Sequence, residues 1–277
     1  MFMIKKNLLV TFGDGHHGWS RAANRIVRSA KYTNLFDQAV SLDLVWLKKY
    51  DPELFSQICH LIKQGDTKGL GYWMWKPAVL KWAAENYPNH QILYIDAGFD
   101  INRNPSLIKE FEKFLKNNWS LGSCAFRQAS FVEKYWTKKE VFDYFNSSPS
   151  IRFSDQVYAG FILMAPNKER EILIKDYCEA IRFDKGFLFN DSLRLNQIEG
   201  FIQHRHDQSI LSCIWKEMNL NLESELVNFN NYGKFLMIAA RNRTGLPANA
   251  GTVLLKSARV YSDFRDRLFF RSKLNIS

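Results

Sequence analysis

The sequence predicts an α/β protein with a mixed, mainly parallel sheet and helices on both faces. Apolar, strand-like runs alternate with segments of helical spacing, an alternation typical of parallel sheets. The chain has 277 residues, of which 46% are apolar and 15% aromatic, enough for a sizeable core. No stretch rich in Pro, Gly and Ser divides it, so we expect one main domain over residues 1–250 and an extension over residues 251–277.

Hydrophobic periodicity and helix-start residues define the predicted elements. Strands are predicted at residues 7–12, 36–41, 91–95, 120–126 and 157–164. A first helix is predicted where Ala22, Ile26, Val27 and Ala30 share one face. Further helices are predicted at residues 52–64, 77–86, 105–115, 138–145 and 168–183, and a flexible connection at residues 65–71.

The charge of the chain points to an anionic partner. The formal net charge is +10, which favours phosphate groups, nucleic acid or an acidic lipid surface. The extension interleaves basic and apolar residues, and such a segment either lies on an anionic membrane surface or docks as a terminal helix. Its basic residues are Lys256, Arg259, Arg265, Arg267, Arg271 and Lys273.

Cysteine spacing and hydropathy indicate the compartment. The four cysteines form no CxxC pair, so neither a zinc site nor a disulfide framework is indicated. The apolar run near the start is too short for a signal-peptide core, and no uncharged stretch approaches a membrane span. We expect a cytoplasmic protein, with peripheral contact at the inner membrane face where the extension would provide it.

A glycine-rich loop follows the first predicted strand. Residues 13–18 match GxGxxG between a strand and a helix, and Asp37 follows at the distance that a dinucleotide-binding fingerprint requires. Bulky side chains around the third glycine, such as Trp19, crowd the approach of a pyrophosphate. Two interpretations stay open: an NAD-type site, or a less specific nucleotide-contacting loop in which Thr11 and Gly13 touch the ligand.

Asp96 ends the most strongly apolar of the early strands. A carboxylate at the carboxyl edge of an open α/β sheet faces the ligand crevice. It can bind a ribose hydroxyl, ligate a divalent cation on a diphosphate, or cap the next turn. The helix that begins near Trp75 starts close to the same edge.

Four segments in order resemble bacterial glycosyltransferase-like proteins of the GT-A type. Trp75-Lys76-Pro77 precedes the strand that ends Tyr94-Ile-Asp96-Ala-Gly98, and Trp136-Thr-Lys138 with Phe142 follows. Residues 156–163 resemble the strand beneath the donor sugar, and Gly160 in this strand is therefore a predicted donor contact. Residues 204–212 resemble the segment that closes the sugar site. The match covers roughly residues 7–245. It implies a nucleotide-sugar donor and a saccharide or lipid-linked acceptor in surface polysaccharide, lipopolysaccharide or capsule synthesis.

The resemblance also bears on metal binding. In that family an Asp-x-Asp motif holds Mn²⁺ or Mg²⁺ on the donor diphosphate, but Gly98 stands in place of the second aspartate. Asp96 would then hold the metal with Asp100, if the loop folds back. Without a metal, cationic side chains must neutralise the departing diphosphate, because charge develops there as the glycosidic bond breaks. Both routes stay open.

Several side chains are candidates for contact with the donor. Lys76 lies at a helix amino end suited to anions, and it either reaches the phosphates or steadies the motif carboxylate. Trp75 fills the core or stacks on a sugar or base. The remaining predicted donor contacts are Lys138, Arg205 and His206.

Asp207 and Gln208 are the predicted catalytic residues. The spacing of the neighbouring histidines fits no usual zinc pattern, so no zinc is expected. In an inverting enzyme Asp207 would deprotonate the acceptor hydroxyl. In a retaining enzyme the same carboxylate or Gln208 would stabilise an oxocarbenium-like state.

Other classes of function account for parts of the sequence. A nucleic-acid binder would explain the charge, yet the sequence contains no zinc-finger spacing, recognition-helix pattern or RNP-like motif. We therefore expect no nucleic acid as partner and no NAD as cofactor. The alternatives to a glycosyltransferase are a nucleotide-binding protein without catalytic activity and an NAD-type oxidoreductase that uses residues 13–18.

Overall fold

The computed structural model describes residues 6–14, 17–223 and 236–238. Its strands are β1 (Lys6–Phe12), β2 (Gln38–Leu42), β3 (His90–Ile95), β4 (Asp100–Ile101), β5 (Ser123–Val132), β6 (Asp155–Met164), β7 (Leu222–Glu223) and β8 (Met237–Ile238). Its longer helices are α1 (His17–Thr33), α2 (Leu44–Tyr50), α3 (Pro52–Lys63), α5 (Trp75–Asn86), α6 (Pro105–Leu121), α8 (Lys139–Tyr144), α10 (Lys168–Arg182) and α11 (Asp207–Glu217). Single turns are α4 (Gly69–Tyr72), α7 (Glu133–Trp136), α9 (Pro149–Arg152) and a 3₁₀ turn (Phe183–Gly186). The boundary predicted at residue 250 and the extension over residues 251–277 lie outside the described residues.

The central sheet has six strands in the order β2-β1-β3-β6-β5-β7. β2, β1 and β3 are parallel, β6 is antiparallel to both of its neighbours, and β7 is parallel to β5. Only β6 therefore runs against the common direction of this sheet. The prediction of a mixed, mainly parallel sheet is confirmed, and the reversal of β6 is the part that hydrophobic runs could not predict.

Apolar side chains pack on both faces of this sheet. Along β1, Leu8 and Val10 belong to one core cluster and Leu9 to another, as the alternation of side chains in a strand requires. Helices α3, α5, α10 and α11 cover the first cluster, and α1 and α6 cover the second. Helices on both faces are confirmed. In the described part of the chain, no helix is both long and apolar enough to cross a membrane.

Several element boundaries differ from the prediction. Helix α6 continues to Leu121, so β5 begins at Ser123 and not at residue 120. Helix α2 was not predicted; Asp43 caps it, with its carboxylate accepting from the backbone N–H of Trp46. The predicted flexible connection ends in a turn where every residue from Gly69 to Trp73 has positive φ.

Strand β6 contains a bulge next to the end of β3. Val157 and Ala159 face the first core cluster, whereas Phe161 and Leu163 face the second, so the alternation shifts by one residue between them. The register with β5 shifts over the same stretch. Bulges of this kind change the direction of local side chains and carbonyls beside functional sites. Here the bulge directs the Ala159 carbonyl towards Lys76 in helix α5.

Candidate functional site

Three charged side chains meet at the carboxyl edge of the sheet. The ammonium of Lys76 lies 2.5 Å from Oδ2 of Asp207 and 3.4 Å from Oδ1 of Asp96. Its third contact is the carbonyl oxygen of Ala159 at 3.1 Å, in the bulge of β6. The ammonium thus donates to Asp207 and Ala159 and forms an ion pair with Asp96. We call Lys76, Asp96 and Asp207 the charged triad.

Each member of the charged triad comes from a different element. Asp96 directly follows β3, Lys76 is in the first turn of α5, and Asp207 is the first residue of α11. The side chains of Lys76 and Asp207 are 2% and 7% exposed, whereas that of Asp96 is 35% exposed. Asp96 is therefore the member that a ligand in the crevice can reach most directly.

Burial and mutual attraction set the protonation of the charged triad. Burial raises the pKa of Asp207 to about 6, against the opposing effect of the Lys76 ammonium. Burial by itself would lower the pKa of Lys76, but Asp207 and Asp96 together raise it. Near pH 7 the site thus holds one ammonium and an ionised Asp207, and Asp207 takes up a proton in mildly acidic solution.

Two buried tyrosines bond to the two aspartates, one to a carboxylate and one to a backbone oxygen. The Tyr94 hydroxyl donates to Oδ1 of Asp96 at 2.7 Å, and the Tyr177 hydroxyl donates to the backbone oxygen of Asp207 at 3.0 Å. Burial raises the pKa of both phenols well above the usual value, so both stay neutral donors. The backbone N–H of Asp96 donates to the Gly160 carbonyl at 3.0 Å, which ties the predicted Gly160 to this site.

The predicted second metal ligand is engaged elsewhere. Asp100 is buried in β4 and its Oδ1 lies 3.0 Å from Nε of Arg25. The same guanidinium donates to the carbonyls of Ala97 and Phe99, on either side of Gly98. Asp100 is thus part of the clamp that fixes the loop after Asp96. This pairing does not support a shared cation site of Asp100 and Asp96, which stays an untested prediction.

The donor set does not fit a protein-built divalent site. Divalent cations of this class prefer several oxygen ligands. Oδ1 of Asp96 already accepts from Tyr94 and faces Lys76, and Gly98 has no side chain to contribute. Among the described residues, no group of three His, Cys, Asp or Glu side chains is arranged to hold a metal.

Asp37 does not lie where a dinucleotide-binding fingerprint requires its acidic residue. Asp37 lies before β2, at the amino edge of the sheet, where its carboxylate accepts from the backbone N–H of Asn7. Gly13 lies at the opposite edge, after β1, so Asp37 cannot reach a ribose bound there. A Cβ at Gly13 would stand 2.4 Å from the carbonyl oxygen of Trp19, so this glycine serves the close packing of α1. The positions of Asp37 and Gly13 therefore do not support the NAD-type interpretation. Thr11 is buried beside Gly13 in β1.

Two predicted donor contacts have packing roles. The Trp75 ring stacks on Phe12 with centroids 4.0 Å apart, and its indole N–H donates to the Gly69 carbonyl. The Lys138 ammonium is buried and donates to the carbonyls of Phe187, Asn190 and Ser192. Burial lowers the pKa of Lys138 to about 8. Because these carbonyls use all three protons of Lys138, the side chain anchors the segment 187–192 and offers none to a diphosphate.

His206 precedes Asp207 and is held from two sides. Its Nδ1 lies 2.8 Å from the Phe189 carbonyl, and its ring packs on Tyr72 and Trp73. Burial lowers the pKa of His206 to about 4, so it is neutral at pH 7 and supplies no cation. The left-handed turn over residues 69–73 costs roughly 1–2 kcal/mol per non-glycine residue, and it brings Tyr72 and Trp73 onto this ring.

Arg205 lies at the rim beside the aromatic residues of β5 and α7. Its guanidinium is 4.4 Å from the centroid of Phe131 and 5.8 Å from that of Trp136. Its backbone N–H donates to the Trp136 carbonyl. These contacts fix the chain just before α11, and therefore the start of the helix that carries Asp207.

Gln208 belongs to a chain of buried amides that the sequence analysis did not predict. Its Nε2 donates to Oε1 of Gln128 and of Gln156, both at 2.7 Å. Gln156 in turn bonds to Glu133, which is fully buried in α7. No local pattern marks Glu133, because all of its partners except Thr137 come from distant parts of the chain. The sequence shows only that a glutamate stands among the aromatic residues of the segment 131–136, which does not indicate its partners.

Comparisons with known proteins give likenesses to solved structures. No family model matches the sequence, and no curated protein matches it. The chain is similar to mouse xyloside xylosyltransferase 1 in its apo form, with a TM-score of 0.39 and 12% identity over 83% of this chain and 91% of that chain. It is also similar to a glycosyltransferase involved in the glycosylation of the major capsid of PBCV-1, with a TM-score of 0.35 and 12% identity over 63% of this chain and 68% of that chain. Neither likeness assigns a substrate to this chain.

Proposed function

We propose that this protein is a glycosyltransferase that moves a sugar from a nucleotide-sugar donor to a saccharide or lipid-linked acceptor. The observation that carries the proposal is the charged triad: Asp96 and Asp207 share the ammonium of Lys76 at the carboxyl edge of a mainly parallel sheet. Ligands of open α/β sheets bind at this edge. Surface polysaccharide, lipopolysaccharide or capsule assembly is the proposed setting.

Asp96 is the proposed donor-binding carboxylate. It follows β3, its side chain is 35% exposed, and Tyr94 fixes one of its oxygens, which leaves the other for a ligand hydroxyl. A ribose or sugar hydroxyl is a suitable donor to such an oxygen, because hydrogen bonds to a carboxylate are stronger than those between neutral groups.

Asp207 is the proposed carboxylate at the reacting sugar. Its raised pKa, about 6, keeps it ionised near neutral pH and lets it exchange a proton in the same range. A group with such a pKa suits general-base catalysis on an acceptor hydroxyl. In its ionised form it equally suits stabilisation of positive charge on the sugar as the bond to the diphosphate breaks. Both roles require the anion.

Lys76 is the proposed positioning residue of the site. Its ammonium donates to Asp207 and to the Ala159 carbonyl and lies 3.4 Å from Asp96, so it holds the two carboxylates in place. This arrangement favours one of the two roles foreseen for Lys76, the steadying of the motif carboxylate. The cations that neutralise the donor diphosphate must then come from elsewhere in the protein or from solution.

A ligand panel followed by a turnover assay tests the proposal. Nucleoside diphosphates and their sugar conjugates should raise the thermal unfolding midpoint, whereas NAD and short oligonucleotides should not. Mass spectrometry of nucleotide-sugar that copurifies with the protein would then identify the donor. Release of nucleoside diphosphate by the wild type and not by Asp207→Asn would support catalysis. Stabilisation by NAD alone would overturn the proposal, and stabilisation by nucleotide-sugar without turnover on any acceptor would favour a non-catalytic nucleotide-binding protein.

A further inference from the structure

A buried glutamate directs a chain of hydrogen bonds that ends at Gln208. Oε1 of Glu133 accepts from the Lys216 ammonium at 2.7 Å and from the Ser212 hydroxyl. Oε2 accepts from the Thr137 hydroxyl and, at 3.1 Å, from Nε2 of Gln156. Every contact of this carboxylate is with a donor, so whatever faces Oε2 from the Gln156 side must be an N–H group.

This requirement fixes the orientation of the Gln156 amide. The same end of Gln156 faces the Trp136 carbonyl at 3.4 Å, and neither a carbonyl nor a carboxylate can donate a hydrogen bond. The end beside Glu133 is therefore the NH₂ group. The carbonyl oxygen of Gln156 must point the other way, and there it lies 2.7 Å from the side chain of Gln208.

The orientation of Gln208 follows from that of Gln156. Oε1 of Gln156 needs a donor, so the NH₂ group of Gln208 faces it, and the second proton of that group goes to Oε1 of Gln128 at 2.7 Å. Within the described residues, no donor is bonded to Oε1 of Gln208. Gln208 is the second residue of α11, directly after Asp207. The chain thus fixes the orientation of the Gln208 amide and leaves its oxygen as an acceptor, on the residue that directly follows Asp207 of the charged triad.

We propose that Glu133 and Gln156 are positioning residues that hold the amide oxygen of Gln208 towards the ligand, so that the site selects a ligand with a hydroxyl at this point. A flipped Gln208 would present N–H groups and would bond to a ligand carbonyl or phosphate oxygen instead. The part of this inference that concerns the ligand rests on the proposed function. The part that concerns the orientation of the amides rests on the hydrogen bonds alone.

Three variants test the direction of the chain. Glu133→Gln offers an NH₂ group as well as an oxygen to Gln156 and so permits both amides to flip. Gln156→Glu places two carboxylates against each other. The double variant Glu133→Gln with Gln156→Glu reverses the polarity of one bond: residue 133 now donates, and residue 156 still accepts from Gln208. Glu217→Gln, an exposed change on the same helix, is the matched control.

We expect each single variant to lower kcat for sugar transfer at least tenfold, with a smaller change in the KM for donor, and the double variant to recover most of the loss. The ¹⁵N–¹H signals of the Gln208 side-chain amide should shift and exchange faster in the single variants and return towards the wild-type positions in the double variant. Glu217→Gln should change neither quantity, and thermal unfolding checks that each variant is folded.

The two readouts separate the two proposals. Folded single variants with unchanged Gln208 amide signals would overturn the positioning role, whatever the activity of the wild type. A wild type without transferase activity would overturn the proposed function, while the amide signals would still report on the orientation of Gln208. A double variant that is folded and as impaired as both single variants, in signals and in kcat, would also contradict the inference.

Discussion

The ammonium nitrogen of Lys76 lies 2.5 Å from Oδ2 of Asp207, across a separation of 131 residues in the chain. Both side chains are nearly inaccessible to solvent. Removing one partner of a buried ion pair leaves an uncompensated charge, and this usually costs more than the pair itself contributes. The contact therefore makes the geometry of the site dependent on Lys76.

Replacement of Lys76 should destabilise the protein as well as the site. In Lys76→Met, Asp96 and Asp207 lose the cation between them, and we expect a loss of about 3–5 kcal/mol in the free energy of unfolding. Urea denaturation measures it. The control is Lys81→Met on the same helix, where an exposed ammonium lies 3.7 Å from Glu85; exposed pairs of this kind contribute roughly 0.3–0.5 kcal/mol. Equal effects of the two substitutions would contradict the role given to Lys76.

The rate of sugar transfer should fall in mildly acidic solution. Burial raises the pKa of Asp207 to about 6, whereas a carboxyl of this type in an unfolded chain titrates near pH ~3.9. The anion is therefore lost as the pH falls through 6, and the rate should drop about tenfold per pH unit below that point. Steady-state rates between about pH 4.5 and 8 measure it.

The same pKa fixes the sign of the effect on stability. The folded protein binds this proton more tightly than the unfolded chain, so protonation of Asp207 favours the folded state between about pH 6 and 4. Circular dichroism at pH 5 should show an intact fold when activity has already fallen. A rate that stays flat down to pH 5 would argue against an ionised Asp207 in the reaction.

Asp96→Asn should weaken donor binding. The variant keeps the size of the side chain and an oxygen that can accept from Tyr94, but it removes the charge next to the ligand. The loss of one charge-assisted hydrogen bond, worth about 1.5–3 kcal/mol, corresponds to roughly 10-fold to 150-fold weaker binding. Isothermal titration with the nucleotide-sugar measures the change. Asp207→Asn serves as the comparison, since it should slow transfer and leave nucleotide binding largely intact; equal losses of affinity in both variants would be evidence against separate roles.

Asp100→Asn should lower stability without changing the response to divalent cations. Asp100 is paired with Arg25, and the buried guanidinium would lose a charged partner at a cost of roughly 2–3 kcal/mol. Thermal unfolding, together with donor titrations in the presence of Mn²⁺ and of a chelator, separates the two effects. If Asp100 were a metal ligand, the difference between Mn²⁺ and chelator would shrink in the variant, which we do not expect.

Much of the fold was predictable because local patterns determine it. Apolar runs marked the main strands of the sheet, and helix-start residues such as Pro52 and Pro105 marked helices that begin where predicted. The position of Asp96 after a buried strand was sufficient to place it at the carboxyl edge, since parallel strands end at a common edge.

The direction of β6 and its bulge were not predictable in this way. A buried strand is a continuous apolar run whether it is parallel or antiparallel to its neighbours. The change of sheet face between Ala159 and Phe161 does not alter the hydropathy of the strand, because both faces are apolar. Yet this bulge turns the Ala159 carbonyl towards Lys76 and thereby fixes the ammonium between the carboxylates.

The sequence by itself determined the layered α/β architecture and the chemistry available at the sheet edge, because spacing and residue type are local properties. Only the tertiary structure decided which charges meet. It paired Lys76 with Asp96 and Asp207, engaged Asp100 with Arg25, and used Lys138 to hold backbone carbonyls. The physical reason is that a charge removed from water is costly unless an opposite charge or a hydrogen-bond partner lies beside it. Which partner is available depends on which elements pack together, and these are often distant in the chain.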